Sequence, residues 1–248
     1  MCGRFGLITS PETAAAAFDL TGIDPFPPRY NIAPSQPILM VVNASELTGG
    51  GEGRTALLVR WGLIPAWVKD GRDFPLLFNA RSESAAEKPA FRGALRHFRT
   101  LVPASGFFEW RKAGGKGTAQ PYWIRPRHGG LIAFAGLMSP WQGADGTELD
   151  TGTILTTQAS GVVAKLHDRS PVIIMPEDFE RWLDCRTLEP RHVADLMKPA
   201  PDDFFEAFPV SKAVSNARNL GAELIEPIGP ALLPDEPEAG PGDQMDLF

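Results

Sequence analysis

The sequence predicts an α+β fold, a single mixed domain with a curved, mostly antiparallel β-sheet and a disordered C-terminal tail. Three observations carry this. Short apolar runs bounded by turn residues recur along most of the 248 residues, the pattern of strands. Helix signals are few, and they do not alternate with strands as a doubly wound parallel sheet requires. From Ile228 onward the chain reads IGPALLPDEPEAGPGDQMDLF, which cannot bury enough apolar surface to offset its ordering entropy. The domain is therefore set at residues 1–228 and the acidic tail at 229–248.

The elements follow in chain order. Ser10, Pro11 and Glu12 supply a cap, a first-turn proline and an N-terminal acid, opening a helix over PETAAAAFDL. QPILMVV and TALLVRWGLI read as strands joined through ELTGGGEGR. RTLVPASGFFEW reads as one strand, followed across AGGKGTAQ by PYWIRP. Neither Gly-rich piece ends in the Gly-Lys-Ser/Thr of a phosphate loop, so both are expected as hairpin connections and nucleotide binding is set aside. GGLIAFAGL, TGTILTT and SPVIIM complete the strands. Pro176 opens a second helix over EDFERWLDC, in which Phe179, Trp182 and Leu183 at i, i+3 and i+4 form a core-facing stripe. PRHVADLM is expected as a further helix.

Composition bounds the function. With 43% hydrophobic residues the chain can bury one sizeable core. No run approaches the ~20 apolar residues of a membrane span, and the start lacks an export-signal pattern, so a cytoplasmic protein with no membrane partner is expected. Two cysteines, Cys2 and Cys185, are too few for a disulfide framework, and four scattered histidines form no zinc grouping. Cys185 falls in an expected helix and reads as packing. The formal charge of −6 misleads, because the tail's Asp235, Glu236, Glu238, Asp243 and Asp246 are unbalanced by any base and leave the rest of the chain at −1. A near-neutral body is compatible with a local basic groove that meets phosphates.

Four features can carry chemistry. Loss of Met1 would leave Cys2 with a free α-amine, giving a 1,2-aminothiol. Its amine (pKa near ~7.7 to 8.0) and thiol (near ~8.5) are both accessible around neutrality. On an aldehyde the amine forms a Schiff base and the sulfur closes a five-membered thiazolidine. The competing reading is an inert early cysteine. Glu109 in SGFFEWR is flanked by Phe107, Phe108 and Trp110, which either desolvate it for proton exchange or fill the core while it points to solvent. His167 precedes Asp168 and Arg169 and serves either as acid and base or as a hydrogen-bonded structural residue. In FNARSES, Asn79 and Arg81 share one face if extended, where an amide can hold a sugar oxygen and a guanidinium a phosphate. A turn Asn and a surface Arg are equally compatible with that spacing.

Seven blocks in order, MCGRF, RYNIAPSQ, RWGLIPAW, NARSES, SGFFEW, LHDRSPVI and PVSKAVSNARNLGAELIEPI, make the chain resemble the SOS response-associated peptidase (SRAP) family over nearly all of its length before the tail. The resemblance implies the SRAP fold and cross-linking to abasic sites in single-stranded DNA through the N-terminal cysteine. It places the family's nucleophile on Cys2, its sugar-contacting asparagine on Asn79, its glutamate on Glu109 and its histidine on His167. DNA contacts would fall on Arg4, Arg81 and Arg169 for phosphates, with Pro34, Trp67 and Trp110 against bases, where stacking is worth ~1 to 3 kcal/mol per base. Ser170 departs from the larger residue expected in the HDRxP block, which leaves the local groove shape in doubt. No cofactor or metal is required. The last residues, QMDLF, resemble the short peptide that docks on the replication sliding clamp, with Gln244 first and Leu247 and Phe248 as apolar anchors.

Two other classes compete. A glutamine amidotransferase also begins Met-Cys-Gly and would make a thioester on Cys2, but it leaves Glu109 and His167 without a role. A non-covalent, clamp-bound reader of DNA damage would use the basic and aromatic residues and leave Cys2 inert.

Overall fold

The structure is a computed structural model that describes residues 2–46, 51–111 and 119–235. Among the described residues twelve strands run in chain order: β1 (Phe5–Leu7), β2 (Arg29–Ile32), β3 (Pro37–Asn43), β4 (Arg54–Trp61), β5 (Asn79–Arg81), β6 (Arg99–Ala104), β7 (Gly106–Arg111), β8 (Gln120–Pro126), β9 (Ile132–Gln142), β10 (Glu148–Gln158), β11 (Arg169–Pro171) and β12 (Phe205–Pro209). Among the described residues the α-helices are α1 (Pro11–Phe18), α2 (Ser82–Ala85), α3 (Pro89–His97), α4 (Gly161–Ala164) and α5 (Phe179–Leu183).

Strands β10, β4, β3, β6 and β9 lie side by side, and β9 pairs back onto β10, closing a small barrel. Closure removes the free edges of these strands. The far half of β10 carries β5 and β11 instead. The second sheet, in the order β12-β8-β7-β1-β2, is antiparallel throughout. The expectation of a mixed, mostly antiparallel domain is met, with β10–β4 and β10–β5 as parallel pairs.

Alternation explains why the barrel strands read as unbroken apolar runs. Ile38, Met40 and Val42 of β3, and Ile132, Phe134 and Met138 of β9, join a core shared with Phe5, Ile32, Phe107 and Ile124 of the second sheet. The intervening Val41, Ala133, Ala135 and Leu137 pack outward against Phe18, Phe91, Leu95 and Trp182 from the helices. Both faces are buried, so the polar half of the usual alternation is missing.

Several expectations are refined. RTLVPASGFFEW is two strands, β6 and β7, in different sheets. The break falls at Ser105, whose Oγ accepts from the Ile8 amide at 3.0 Å, and at Gly106, where a Cβ would collide with Trp123 and the Ile124 carbonyl. PRHVADLM forms two 3-10 turns at Pro190–His192 and Ala194–Leu196, interrupted at Val193, whose φ of −123° and ψ of 7° are neither helical nor extended. SPVIIM is strand only as far as Pro171, with an isolated pairing of Ile173 to Phe134. Helix α3 was missed in PAFRGALRH, although Phe91, Ala94 and Leu95 form its buried face. Ser10 caps α1 as expected, accepting from the Thr13 amide at 3.2 Å.

Gly229–Asp235, assigned by composition to the tail, lie against the body. Leu232 exchanges backbone hydrogen bonds of 2.7 and 3.0 Å with Ala207, and Lys165 pairs with Asp235 at 2.6 Å. One strand edge and one lysine suffice to hold a segment whose composition carries little apolar surface. Residues 236–248, with Gln244, Leu247 and Phe248, are outside the described residues.

Helix α4 and the turn after it depend on Gly161, whose φ is +49° and whose added Cβ would meet the Asp202 carbonyl. Substitution Gly161→Ala is expected to cost about 2 kcal/mol, seen as a melting midpoint lower by roughly 4–8 °C in a thermal scan.

Candidate active site

The amino end of the chain runs into the core. Phe5 of β1 is paired to Ile32 on one side and Phe107 on the other, and the Phe108 amide donates to the Arg4 carbonyl at 2.9 Å. This register carries residues 2–4 between β2 and β7. Cys2 is wholly buried in the main core, which also contains Trp61, Val162, Val163 and Leu166. Burial first, and the Glu109 carboxylate second, push its thiol well above the ordinary cysteine range. The sulfur of the closed site is therefore a neutral thiol.

Strand β5 brings Asn79 to the same place. The Ile154 amide and the Trp61 indole both donate to the Phe78 carbonyl, at 3.1 and 2.8 Å, and fix the strand's entry. Asn79 then donates its Nδ2 to the Cys2 carbonyl at 2.8 Å. Its Oδ1 is buried and has no hydrogen-bond partner among the described residues. A buried acceptor left unmet costs about 1–3 kcal/mol, so it marks a place for a ligand donor such as a hydroxyl. Ala80 is buried on the other side of β5, in the cluster packed with the helices, while Arg81, two residues on from Asn79, is exposed at the rim.

Glu109 does not point to solvent. Strand β7 is covered on both faces: Phe107 joins the main core and Phe108 packs with Trp123, Val210, Val214 and Leu224. Glu109 shares the inner side with Phe107 and is 3% exposed. Burial raises its carboxyl pKa to about 7, with Asp168 adding to the rise. A carboxyl that shares its proton near neutrality thus lies within electrostatic reach of both Cys2 and the His167–Asp168 turn.

His167 follows α4, its amide donating to the Val163 carbonyl at 2.9 Å. Its Nδ1 is 2.9 Å from the Arg169 amide and 2.7 Å from the Asp168 carboxylate. One nitrogen cannot serve both at once. The neutral ring accepts from the fixed Arg169 N–H and carries its proton on Nε2; the exposed Asp168 side chain partners the protonated ring.

The expected DNA contacts divide. The Arg4 guanidinium donates to Asn31 Oδ1 and the Val214 carbonyl, each at 2.9 Å, and stands 5.9 Å from the Trp110 ring. Arg169 is forked onto Glu83 at 2.6 and 2.8 Å. Both are engaged within the chain. Trp110 is half-buried and donates to Ser215 Oγ at 3.1 Å, and Pro34 is half-buried beside Ser35, whose φ is +74°. Trp67 is 62% exposed, meets Phe74 edge-on and borders an apolar cavity of about 310 Å³ with Pro89, Ala90 and His97. Ser170 is buried and donates to the Pro171 carbonyl at 3.2 Å.

Two polar residues escaped the sequence reading. Buried Asn31 donates to the carbonyls of Val214, Asn216 and Asn219 at 3.3, 3.1 and 2.9 Å, clamping the last turns onto β2. Glu83 holds Arg169. Each lies inside a block that was quoted, RYNIAPSQ and NARSES, but its partner is distant in the chain. No described helix is long and apolar enough to cross a membrane.

The raised Glu109 carboxyl has a signed consequence. Between about 4.5, its ordinary value, and about 7, the folded chain binds more protons than the unfolded one, so stability falls as pH rises through that window. Glu109→Gln is expected to remove this component, amounting to about 3 kcal/mol, when denaturant unfolding is measured at a series of pH values from 4 to 8.5.

The chain resembles known proteins over this whole framework. The family model described as SOS response associated peptidase (SRAP) matches residues 1–217. The abasic site processing protein YoqW of Bacillus subtilis (strain 168) is 38% identical over 229 residues, spanning 91% of this chain and 99% of that protein. The abasic site processing protein YedK of Escherichia coli (strain K12) is 33% identical over 237 residues, spanning 92% and 100%. A crystal structure of a protein from Bacteroides thetaiotaomicron shares the fold, with a TM-score of 0.77 at 23% identity over 91% of this chain and 99% of that one. The match takes in β1 to β12 and every residue of the site, from Cys2 to Arg169, and the chain belongs to the SOS response associated peptidase family.

Proposed function

We propose that this chain captures abasic sites in single-stranded DNA by building a thiazolidine on Cys2 once Met1 is removed. The observation that carries this reading is the convergence on Cys2 of the Asn79 amide, with its unmet Oδ1, and a Glu109 carboxyl poised near pH 7. The abasic-site processing relatives support the substrate class.

An abasic deoxyribose is mostly a closed hemiacetal, so a proton must move before its C1 aldehyde is exposed. Glu109 shuttles that proton and Asn79 Oδ1 receives a sugar hydroxyl. The Cys2 amine adds to C1, and the carbinolamine loses one water to give the imine. The Cys2 sulfur then bonds to the same carbon, while its proton passes through Glu109 to the ring nitrogen. Aldehyde and aminothiol thus give thiazolidine and water. A thiol kept neutral by burial fits this order, with nitrogen first and sulfur second. His167 protonates the opened sugar and, in reverse, assists release. The lesion enters more readily than an intact nucleotide because no base must be unstacked. The processing named by the family is, in this reading, the loss of Met1 that frees the amine.

Arg81 at the rim and exposed Trp67 are the groups left open to phosphate and base. Arg4 and Arg169 contribute to DNA binding only if their present partners yield. Residues Gln244, Leu247 and Phe248 form a docking peptide for the replication sliding clamp, which raises the local concentration of the cross-linker at forks.

Substitution Cys2→Ala is expected to abolish the denaturant-resistant adduct with abasic single-stranded DNA while leaving non-covalent binding nearly intact; an undiminished adduct on a denaturing gel refutes the mechanism. Glu109→Gln should slow adduct formation about 100-fold in the same assay. Deleting residues 244–248 should leave capture unchanged and eliminate binding to immobilised clamp, and an unaltered clamp affinity refutes the tether.

A further inference from the structure

Arg169 is a DNA-contact position by resemblance, yet its side chain is only 14% exposed and both its Nη groups are engaged, leaving Nε buried without a hydrogen-bond partner among the described residues. Nη1 donates to Glu83 Oε1 at 2.6 Å, and Nη2 donates to Glu83 Oε2 at 2.8 Å and to the Thr156 carbonyl at 2.6 Å. Thr156 lies on β10, paired to Arg81 of β5 on one side and Pro171 of β11 on the other. Glu83 is on α2, directly after β5. The fork therefore ties the segment carrying Asn79 to the segment carrying His167. The hydrogen bonds from Arg169 also hold the Glu83 carboxyl below its ordinary range, so it is a carboxylate at neutral pH.

The backbone of the same arginine reaches the site. Its amide donates to His167 Nδ1 at 2.9 Å, while the Asp168 carbonyl accepts from the Ala159 amide at 3.0 Å. While neutral, an imidazole whose Nδ1 accepts from a backbone N–H keeps its proton on Nε2 and has its plane set by that contact; the Asp168 carboxylate, 2.7 Å from the same Nδ1, takes it up when the ring is protonated. We propose that Glu83 is a positioning residue: its carboxylate seats the Arg169 guanidinium against β10, and the seated Arg169 backbone orients His167 for proton transfer to the bound sugar. The proposal rests on the role given to His167 above. Glu83 itself touches no reacting atom.

The test uses the full chain after Met1 removal, with Glu83→Gln and Arg169→Lys breaking the fork from opposite sides. Release is followed by transfer of the pre-formed adduct to a labelled abasic competitor strand, and the His167 ring by its nitrogen chemical shifts. Both variants are expected to slow release at least about tenfold and to convert a single Nε2–H signature into a mixture. Two variants guard against one failing to fold, and a shared defect at wild-type melting temperature supports the proposal. It is overturned if release and ring signature stay at wild-type values in both. It is equally overturned if Glu83→Gln only tightens, and Arg169→Lys only weakens, binding to undamaged single-stranded DNA, since Glu83 would then merely screen a phosphate-gripping arginine. Wild-type release from His167→Ala would instead sink the role given to His167, while the nitrogen shifts still report whether Glu83 orients the ring.

Discussion

The second residue of this chain lies at zero exposure in the core, its carbonyl held by the amide of a residue 77 positions away. Chain ends ordinarily fray, because few contacts offset their ordering entropy. Here β1 is the fourth strand of a five-strand sheet, flanked by β7 and β2, and the residues before it inherit that register. Everything else in the site is arranged around this anchored end: β5 brings Asn79, β7 brings Glu109, and the turn after α4 brings His167.

Burial is the common cause of the site's electrostatics. It raises both the Cys2 thiol and the Glu109 carboxyl, leaving the thiol neutral and the carboxyl close to half-protonated at pH 7. In the proposed mechanism a neutral thiol and a half-protonated carboxyl pass one proton between sulfur, carboxyl and nitrogen without a free ion in low dielectric. The cost is a buried titratable group and an unmet Asn79 oxygen, both of which lower the stability of the fold. The barrel and the helices around it pack both faces of its strands, and this dense core is what holds such a site open to chemistry without collapse.

Much of this was legible in the sequence, for identifiable reasons. Apolar runs between turn residues located the barrel strands because both their faces are buried. NARSES located Asn79 and Arg81 on one side of an extended segment, and β5 has that geometry. Other features depend on partners far along the chain. Whether Glu109 faces solvent or core is decided by Val210, Val214 and Leu224 covering the other side of β7, about a hundred residues later. The break between β6 and β7 reflects a collision at Gly106 with Trp123, and the engagement of Arg4 and Arg169 reflects Asn31, Val214 and Glu83. Composition likewise assigned Gly229–Asp235 to the tail because a single strand pairing leaves no compositional mark.

The central claim is that one sugar carbon becomes bonded to both the nitrogen and the sulfur of Cys2. It is tested most directly by nuclear magnetic resonance of the adduct formed between Met1-free protein, labelled with heavy nitrogen at cysteine, and an abasic oligonucleotide isotopically labelled at C1. The account predicts a saturated C1 methine coupled to the Cys2 nitrogen, with a chemical shift characteristic of a carbon bearing both nitrogen and sulfur. A C1 signal of an imine, of a carbon bonded to sulfur alone, or of an unreacted hemiacetal would contradict it.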